Sequence, residues 1–138
     1  ETGITNPCSW CLTPKRRCEY LDSQMTLGEA LAKMSQSKYT MLSVLECNSG
    51  RYLYSVSAYD ILAKVLEMGD LEKAKGLPLS SVSLERFVIP VTPEADFPHL
   101  VDLSAAQNYV PIVDEKGVFL GIVTRRAMIN ALFSKIGE

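Results

Sequence analysis

The sequence lacks the features that membrane proteins and nucleic-acid-binding proteins require. Its 138 residues contain no apolar run near the roughly 20 residues that span a bilayer, which predicts no membrane partner. Lys and Arg number 14 against 16 Asp and Glu, and the missing basic excess predicts no nucleic-acid partner. Hydrophobic residues make up 47% of the chain, a share typical of a soluble globular domain.

Catalytic signals are equally scarce. The chain has a single histidine, His99, which we interpret as a partly exposed helix residue. It has no glycine-flanked serine nucleophile, no glycine-rich phosphate loop and no paired carboxylates on the predicted site elements. We therefore predict that the protein is not an enzyme and needs no cofactor.

The four cysteines, Cys8, Cys11, Cys18 and Cys47, lie in the first half of the chain. Cys8 and Cys11 have the C-x-x-C spacing of a zinc knuckle or a redox pair. No second C-x-x-C follows, and Pro14 comes too soon for the helix that a thioredoxin-like motif opens. We predict free thiols and no metal site, with a four-thiolate zinc site as the alternative.

A degenerate internal repeat is the strongest signal in the sequence. Residues 109–127 read as an apolar run, an acidic turn with glycine, a second apolar run and a hydroxyl residue, and residues 41–60 keep the same order. The hydroxyl residues Ser57 and Thr124 are 67 positions apart, and Glu46 and Asp114 are 68 apart. Two copies indicate a tandem pair and not a solenoid.

Hydrophobic periodicity extends the repeat to two units of order β-α-β-β-α, which predicts an α+β fold. Thr26 followed by Glu29 is a capping-box pattern at the start of the first helix. Because neither half would make a generous core alone, we expect the units to pack together with approximate two-fold symmetry. The predicted strands are 18–21, 41–45, 52–56, 87–91, 110–113 and 118–123, and the predicted helices are 25–37, 58–68, 95–107 and 125–136.

These elements give the predicted domain boundaries. Residues 1–16 form an irregular N-terminal segment, in which residues 1–3 are interpreted as a remnant of the expression vector. The first unit covers 17–70, a connector covers 71–85, and the second unit covers 86–138.

Both copies approach the motif G-h-h-[ST]-x-x-D, where h is apolar. The second copy reads Gly121-Ile122-Val123-Thr124-Arg125-Arg126-Ala127, and the first reads Tyr54-Ser55-Val56-Ser57-Ala58-Tyr59-Asp60. On these residues the chain resembles a pair of CBS domains, the Bateman module, over residues 14–136. The resemblance implies a regulatory protein that binds adenosine nucleotides in clefts between its two units.

A narrower resemblance is to stand-alone bacterial CBS proteins of the CbpB/DarB type, which bind cyclic di-AMP. It rests on Tyr39-Thr40, on Thr124-Arg125-Arg126 and on Arg17. The resemblance implies a cleft, cleft A, whose arginines suit phosphate groups through charge-assisted hydrogen bonds, although solvated surface arginines are the alternative. Its residues are Arg17, Glu19, Leu21, Tyr39, Thr40, Met41, Thr124, Arg125 and Arg126.

The resemblance implies a second cleft, cleft B, with different chemistry. Asp60 would accept hydrogen bonds from ribose hydroxyls there, which suits a mononucleotide, but Ser57 and Asp60 equally match a plain capping box. Tyr109 is interpreted as a cross-strand packing residue. The residues of cleft B are Ser57, Asp60, Phe87, Ile89, Asn108, Tyr109 and Val110.

The resulting hypothesis is a bacterial, cytoplasmic and homodimeric sensor that binds cyclic di-AMP in cleft A and relays this to an unidentified effector protein. One alternative is an AMP- or ATP-binding module that uses Asp60. The other is a ligand-free interaction module or a zinc-holding adaptor.

Overall fold

The computed structural model describes residues 7–137, and their side chains up to residue 134, so the presumed vector remnant at 1–3 lies outside the described residues. In chain order the elements are helix α1 Pro7–Cys11, strand β1 Leu12–Pro14, a 3-10 turn Lys15–Arg17, β2 Tyr20–Asp22, α2 Leu27–Ser35, β3 Met41–Leu45, β4 Tyr52–Ser57, α3 Ala58–Met68, α4 Leu71–Lys75, a 3-10 turn Leu79–Ser81, α5 Phe97–Ser104, β5 Tyr109–Val113, β6 Phe119–Thr124 and α6 Arg125–Gly137. None of these helices is both long and apolar enough to cross a membrane.

The chain forms two compact units, each with its own three-stranded sheet. The first unit is Glu19–Phe87. The second unit comprises the chain from Val88 onward together with the described N-terminal residues up to Cys18. The prediction of an α+β fold is confirmed, while the two-fold packing of the units stays a prediction.

The first unit follows the predicted β-α-β-β-α order. Its sheet has the order β2-β3-β4, with β2 parallel and β4 antiparallel to β3. The capping box at α2 is confirmed, because the Thr26 hydroxyl accepts the Glu29 N–H at 3.2 Å and Glu29 Oε1 accepts the Thr26 N–H at 3.0 Å. The core beneath the sheet contains completely buried Leu21, Leu27 and Val44.

The internal repeat is visible as two matching hairpins. Met41 pairs with Ser57 in the first unit, and Tyr109 pairs with Thr124 in the second. Each hairpin also shifts register just before its end, at Leu45 in the first unit and at Val113 in the second. The turns contain Gly50 and Gly117, whose φ angles of 74° and 86° are costly for other residues.

The segment 87–91 does not form the predicted strand. It makes one isolated parallel bridge, in which Val91 N donates to Pro111 O at 3.0 Å and Val113 N donates to Val91 O at 2.8 Å. Pro90 has no N–H to give to a ladder. Both backbone polar groups of Ile89 bond instead to the side chain of Gln107, at 3.1 Å each. The strand prediction was wrong because a side chain satisfies this backbone.

The N-terminal segment is also ordered, contrary to the prediction that it is irregular. Strand β1 pairs antiparallel with β6, so the sheet of the second unit has the order β1-β6-β5. Cys8 and Cys11 of α1 are buried in the core of this unit with Val110, Ile112 and Val123. Strand β1 is short, and the prolines and basic residues around it are typical of irregular structure. Composition alone therefore did not predict this strand.

Gly121 allows β1 to approach β6 closely. A Cβ atom at this position would lie 2.2 Å from the Thr13 carbonyl oxygen and 3.1 Å from Pro14 Cα. The corresponding position in the first unit is Tyr54, on the edge strand β4 of the three-stranded sheet in residues 19–87. Gly121 therefore has a packing role in this chain.

We predict that Gly121→Ala destabilises the protein by about 1–3 kcal/mol, because the added methyl group must displace the backbone of β1. Urea denaturation followed by circular dichroism measures the change. Gly76→Ala is the matched control, since its Cβ would meet only the Lys73 carbonyl oxygen at 3.8 Å. Equal stabilities of the two variants would contradict the close approach of β1.

Candidate functional site

Thr124 and Arg125 form a corner where β6 ends and α6 begins. The Thr124 hydroxyl accepts the Ala127 N–H at 3.0 Å and so caps the helix. The Arg125 guanidinium turns back to the end of α5: its Nε and Nη2 donate to Ser104 O at 2.9 and 2.5 Å, and its Nη2 also donates to Gln107 O at 3.3 Å. A cation is favourable at a helix C-terminus, so Arg125 has a structural role that the sequence did not reveal.

The remaining predicted arginines are not engaged in this way. Arg17 and Arg126 are both exposed, and neither makes a hydrogen bond or ion pair with the residues that the structure describes. Strand β1 runs antiparallel to β6 and sets Pro14 opposite Gly121, so the chain continues from there toward the start of β6 and Arg17. Arg126, in contrast, lies beyond the C-terminal end of β6. These two guanidinium groups are therefore uncommitted donors.

The cleft A residues of the first unit have varied environments. Glu19 is exposed, Met41 is half-buried, and Leu21 is completely buried in the core of its unit. Tyr39 is 37% exposed, and Lys38 Nζ lies over its ring, 5.3 Å from the ring centroid. Thr40 accepts the Ala58 N–H through its carbonyl group at 2.8 Å. Because cleft A draws on both units, the complete cleft stays a prediction.

Asp60 is buried, with 4% of its surface exposed, and both carboxylate oxygens are engaged. Oδ2 accepts the Ser57 N–H at 3.0 Å, while the Ser57 hydroxyl accepts the Asp60 N–H at 3.1 Å. Oδ1 accepts the Glu85 N–H at 3.1 Å. The capping-box interpretation is confirmed, and Asp60 also ties the connector to α3. The ribose-binding role stays a prediction.

The cleft B residues of the second unit are brought together by a residue that the sequence analysis missed. Gln107 is 6% exposed, and its Nε2 donates to Ile89 O and Tyr109 O, both at 3.1 Å. Asn108 is exposed, whereas Tyr109 and Val110 are buried in β5. Phe87, at the end of the first unit, is 82% exposed. The sequence analysis placed Gln107 at the end of the predicted helix 95–107, whereas α5 ends at Ser104, and no local pattern indicated that its side chain would meet Ile89.

The cysteine environments do not favour reactive thiols. Burial raises the pKa of both Cys8 and Cys11, and the neighbouring Cys11 and Glu94 raise the pKa of Cys8 further. The Cys18 thiol donates to Thr13 O at 3.3 Å. Within the described part of the chain, no three His, Cys, Asp or Glu residues are grouped to hold a metal ion. The absence of a metal site in the protein stays a prediction.

The comparison with protein families gives a match in the second half of the chain. The family model of the CBS domain matches residues 80–134. The matched residues contain α5, both strands of the second hairpin and most of α6, and therefore the Thr124 corner. The comparison with curated proteins found no match.

Solved structures extend the likeness to the rest of the chain. A CBS domain protein from Streptococcus pneumoniae TIGR4 is 22% identical with a TM-score of 0.80, covering 92% of this chain and 86% of that chain. The Listeria monocytogenes CbpB protein in complex with c-di-AMP is 24% identical with a TM-score of 0.75, covering 91% and 94%. CBSX2 in complex with AMP is 24% identical with a TM-score of 0.74, covering 99% and 100%. The fold is that of CBS-domain proteins, and the predicted resemblance to the CbpB type is confirmed at this level.

We predict that Asp60→Ala destabilises the protein by about 2–4 kcal/mol. The change removes the carboxylate that accepts the Ser57 N–H in the capping box, which costs about 1 kcal/mol, and leaves the Glu85 N–H without its acceptor, which costs about 1–3 kcal/mol more. Asp70→Ala is the control, because Asp70 caps α4 from an exposed position. Urea denaturation of both variants compares the two losses, and an Asp60 loss no larger than the Asp70 loss would contradict the tie to Glu85.

Proposed function

We propose that the protein is a regulatory, non-enzymatic CBS module that binds an adenine nucleotide, and that its preferred ligand is cyclic di-AMP. The observation that carries the proposal is the cationic corner at the start of α6, formed by Thr124, Arg125 and Arg126. Arg126 lies in the first helical turn, where the helix dipole disfavours a cation. An anion bound beside Arg126 would remove this penalty and accept charge-assisted hydrogen bonds.

The geometry of Arg125 supports a phosphate ligand as well. A guanidinium has five N–H donors, and the Ser104 and Gln107 carbonyls engage only Nε and Nη2. The Nη1 group makes no hydrogen bond within the described residues. The carbonyls therefore hold the guanidinium in one orientation and leave one edge for an anion.

Two considerations favour cyclic di-AMP over AMP or ATP. Both Asp60 oxygens already accept backbone N–H groups, so a ribose would have to share an acceptor that is largely buried. Ala127 stands at the position of Asp60 in the second copy and offers no ribose acceptor, which suits a dinucleotide bound through its phosphates. The CbpB structure with c-di-AMP and the CBSX2 structure with AMP make adenine nucleotides the ligand class to test.

The proposed module acts in the bacterial cytoplasm by a shift in conformational population. A ligand that binds one arrangement of the chain more tightly than another stabilises that arrangement, and an effector protein reads the result. The zinc-holding adaptor is the second candidate, and the adjacent Cys8 and Cys11 thiols are the observation that keeps it open.

We expect cyclic di-AMP at about 100 times its dissociation constant to stabilise the protein by about 2.7 kcal/mol. A thermal-shift panel with cyclic di-AMP, cyclic di-GMP, AMP and ATP, with and without a zinc chelator, measures this.

Arg126→Ala should weaken cyclic di-AMP binding roughly 10- to 100-fold in calorimetric titration, since one hydrogen bond to a charged group contributes about 1.5–3 kcal/mol. Arg51→Ala, an exposed arginine in the turn of the first hairpin, is the matched control.

The outcomes separate the candidate functions. Equal affinity of the Arg126 and Arg51 variants would remove the cationic corner from the site. A response to AMP or ATP alone would favour the mononucleotide alternative. No response to any nucleotide, together with a melting temperature that falls on chelation, would favour the zinc-holding adaptor.

We also propose that the protein is a homodimer that buries exposed apolar residues on two equivalent helices. Leu62 and Leu66 on α3 are 60% and 82% exposed. Ile129 and Phe133, at the repeat-equivalent positions of α6, are 62% and 75% exposed. Large contiguous apolar patches are unusual on monomers. A surface that recurs in both halves of the chain suits a symmetric assembly of identical copies.

Light scattering coupled to size-exclusion chromatography should therefore give twice the mass of one chain. Leu66→Glu should shift the protein to the monomer, because a charge would be buried in the interface. Leu71→Glu is the control, since Leu71 is 50% exposed at the start of α4, where the helix dipole favours an acidic residue. A monomeric unmodified protein would refute the proposed dimer.

A further inference from the structure

The side chain of Gln107 makes the hydrogen bonds to Ile89 that a neighbouring strand would otherwise make. Its carboxamide accepts the Ile89 N–H through Oε1 and donates through Nε2 to the carbonyl groups of Ile89 and Tyr109. This is the pair of bonds that an adjacent strand would offer to Ile89, with a third bond to the start of β5. The arrangement needs an acceptor and a donor on one group, which a carboxamide has and a carboxylate lacks.

The same residue is joined to the start of α6 through its backbone. Its carbonyl oxygen and that of Ser104 accept the guanidinium of Arg125. A continuous set of hydrogen bonds thus runs from the 88–91 segment through Gln107 to Arg125, entirely within the second unit. The position of the Gln107 carbonyl helps to fix which edge of the guanidinium is left for an anion.

We infer that Gln107 is a positioning residue for the phosphate-binding corner of the proposed nucleotide site. Its side chain holds the loop between α5 and β5 against Ile89, and the carbonyls of that loop orient Arg125 so that Nη1 is presented to the ligand. This inference rests on the proposed function. It requires no contact between Gln107 and the nucleotide.

The test is the pH dependence of cyclic di-AMP affinity in the Gln107→Glu variant. Ionised, the new carboxylate would face the oxygens of Ile89 and Tyr109, repel them and move the loop that orients Arg125. Protonated, it would again accept from Ile89 N and donate one bond. Because burial raises the pKa of a carboxyl group, we expect the carboxyl of this variant to take up its proton within the pH range in which affinity is measured. Phosphodiester groups keep their charge throughout.

We expect the Gln107→Glu variant to bind cyclic di-AMP at least tenfold more weakly than the unmodified protein at pH 8 and to recover most of this loss at pH 5.5. The titratable side chains of α5, His99 and Asp102, are exposed. Any titration of these groups also appears in the unmodified protein, so the informative quantity is the difference between the two profiles. Gln24→Glu makes the same change at an exposed site and should follow the unmodified profile.

A second variant separates positioning from folding. Gln107→Met keeps the length of the side chain but has no strong hydrogen-bonding group, so it should bind weakly at every pH. Circular dichroism confirms that each variant is folded where its affinity is measured. If the unmodified protein binds but the Gln107→Glu profile parallels it, the inference alone fails. If the unmodified protein does not bind cyclic di-AMP, the proposed function fails with it.

Discussion

Two antiparallel hairpins, each ending in a hydroxyl residue that caps the following helix, determine most of what surrounds them. The pairing fixes where Ser57 and Thr124 stand, and their hydroxyls accept the N–H groups of Asp60 and Ala127 in the first turns of α3 and α6. Each helix therefore begins at the residue after its strand. The same register shift occurs in both hairpins, so one local solution is used twice.

Substitutions between the copies give the repeated corner different surroundings. In the first unit Asp60 completes the capping box and binds Glu85, so the corner is filled by protein. In the second unit Ala127 stands in place of Asp60, and Arg125 stands in place of Ala58. The Thr124 hydroxyl caps α6, but Ala127 has no carboxylate to complete a capping box. Gly121 in place of Tyr54 admits β1. The first unit therefore has a corner closed by protein groups, and the second has a cationic corner.

The chemistry of the cationic corner depends on backbone groups as much as on side chains. Without the carbonyls of Ser104 and Gln107, Arg125 would be a flexible surface cation whose ordering on binding costs free energy. Held by them, its guanidinium is already oriented for the proposed ligand, and such preorganisation would lower the cost of binding. Gln107 contributes by satisfying Ile89 in a segment where Pro90 prevents a regular ladder.

The sequence by itself determined the elements that local pattern specifies. Alternating apolar residues, glycine turns and capping residues fixed both hairpins, α2, α3 and α6, and the α+β fold. The tertiary structure decided the rest. Only the fold showed that β1 pairs with β6, that Gln107 substitutes for strand 87–91, and that Arg125 turns toward α5. Each of these depends on a hydrogen bond between groups distant in the chain, and no local periodicity records which distant backbone group will need a partner.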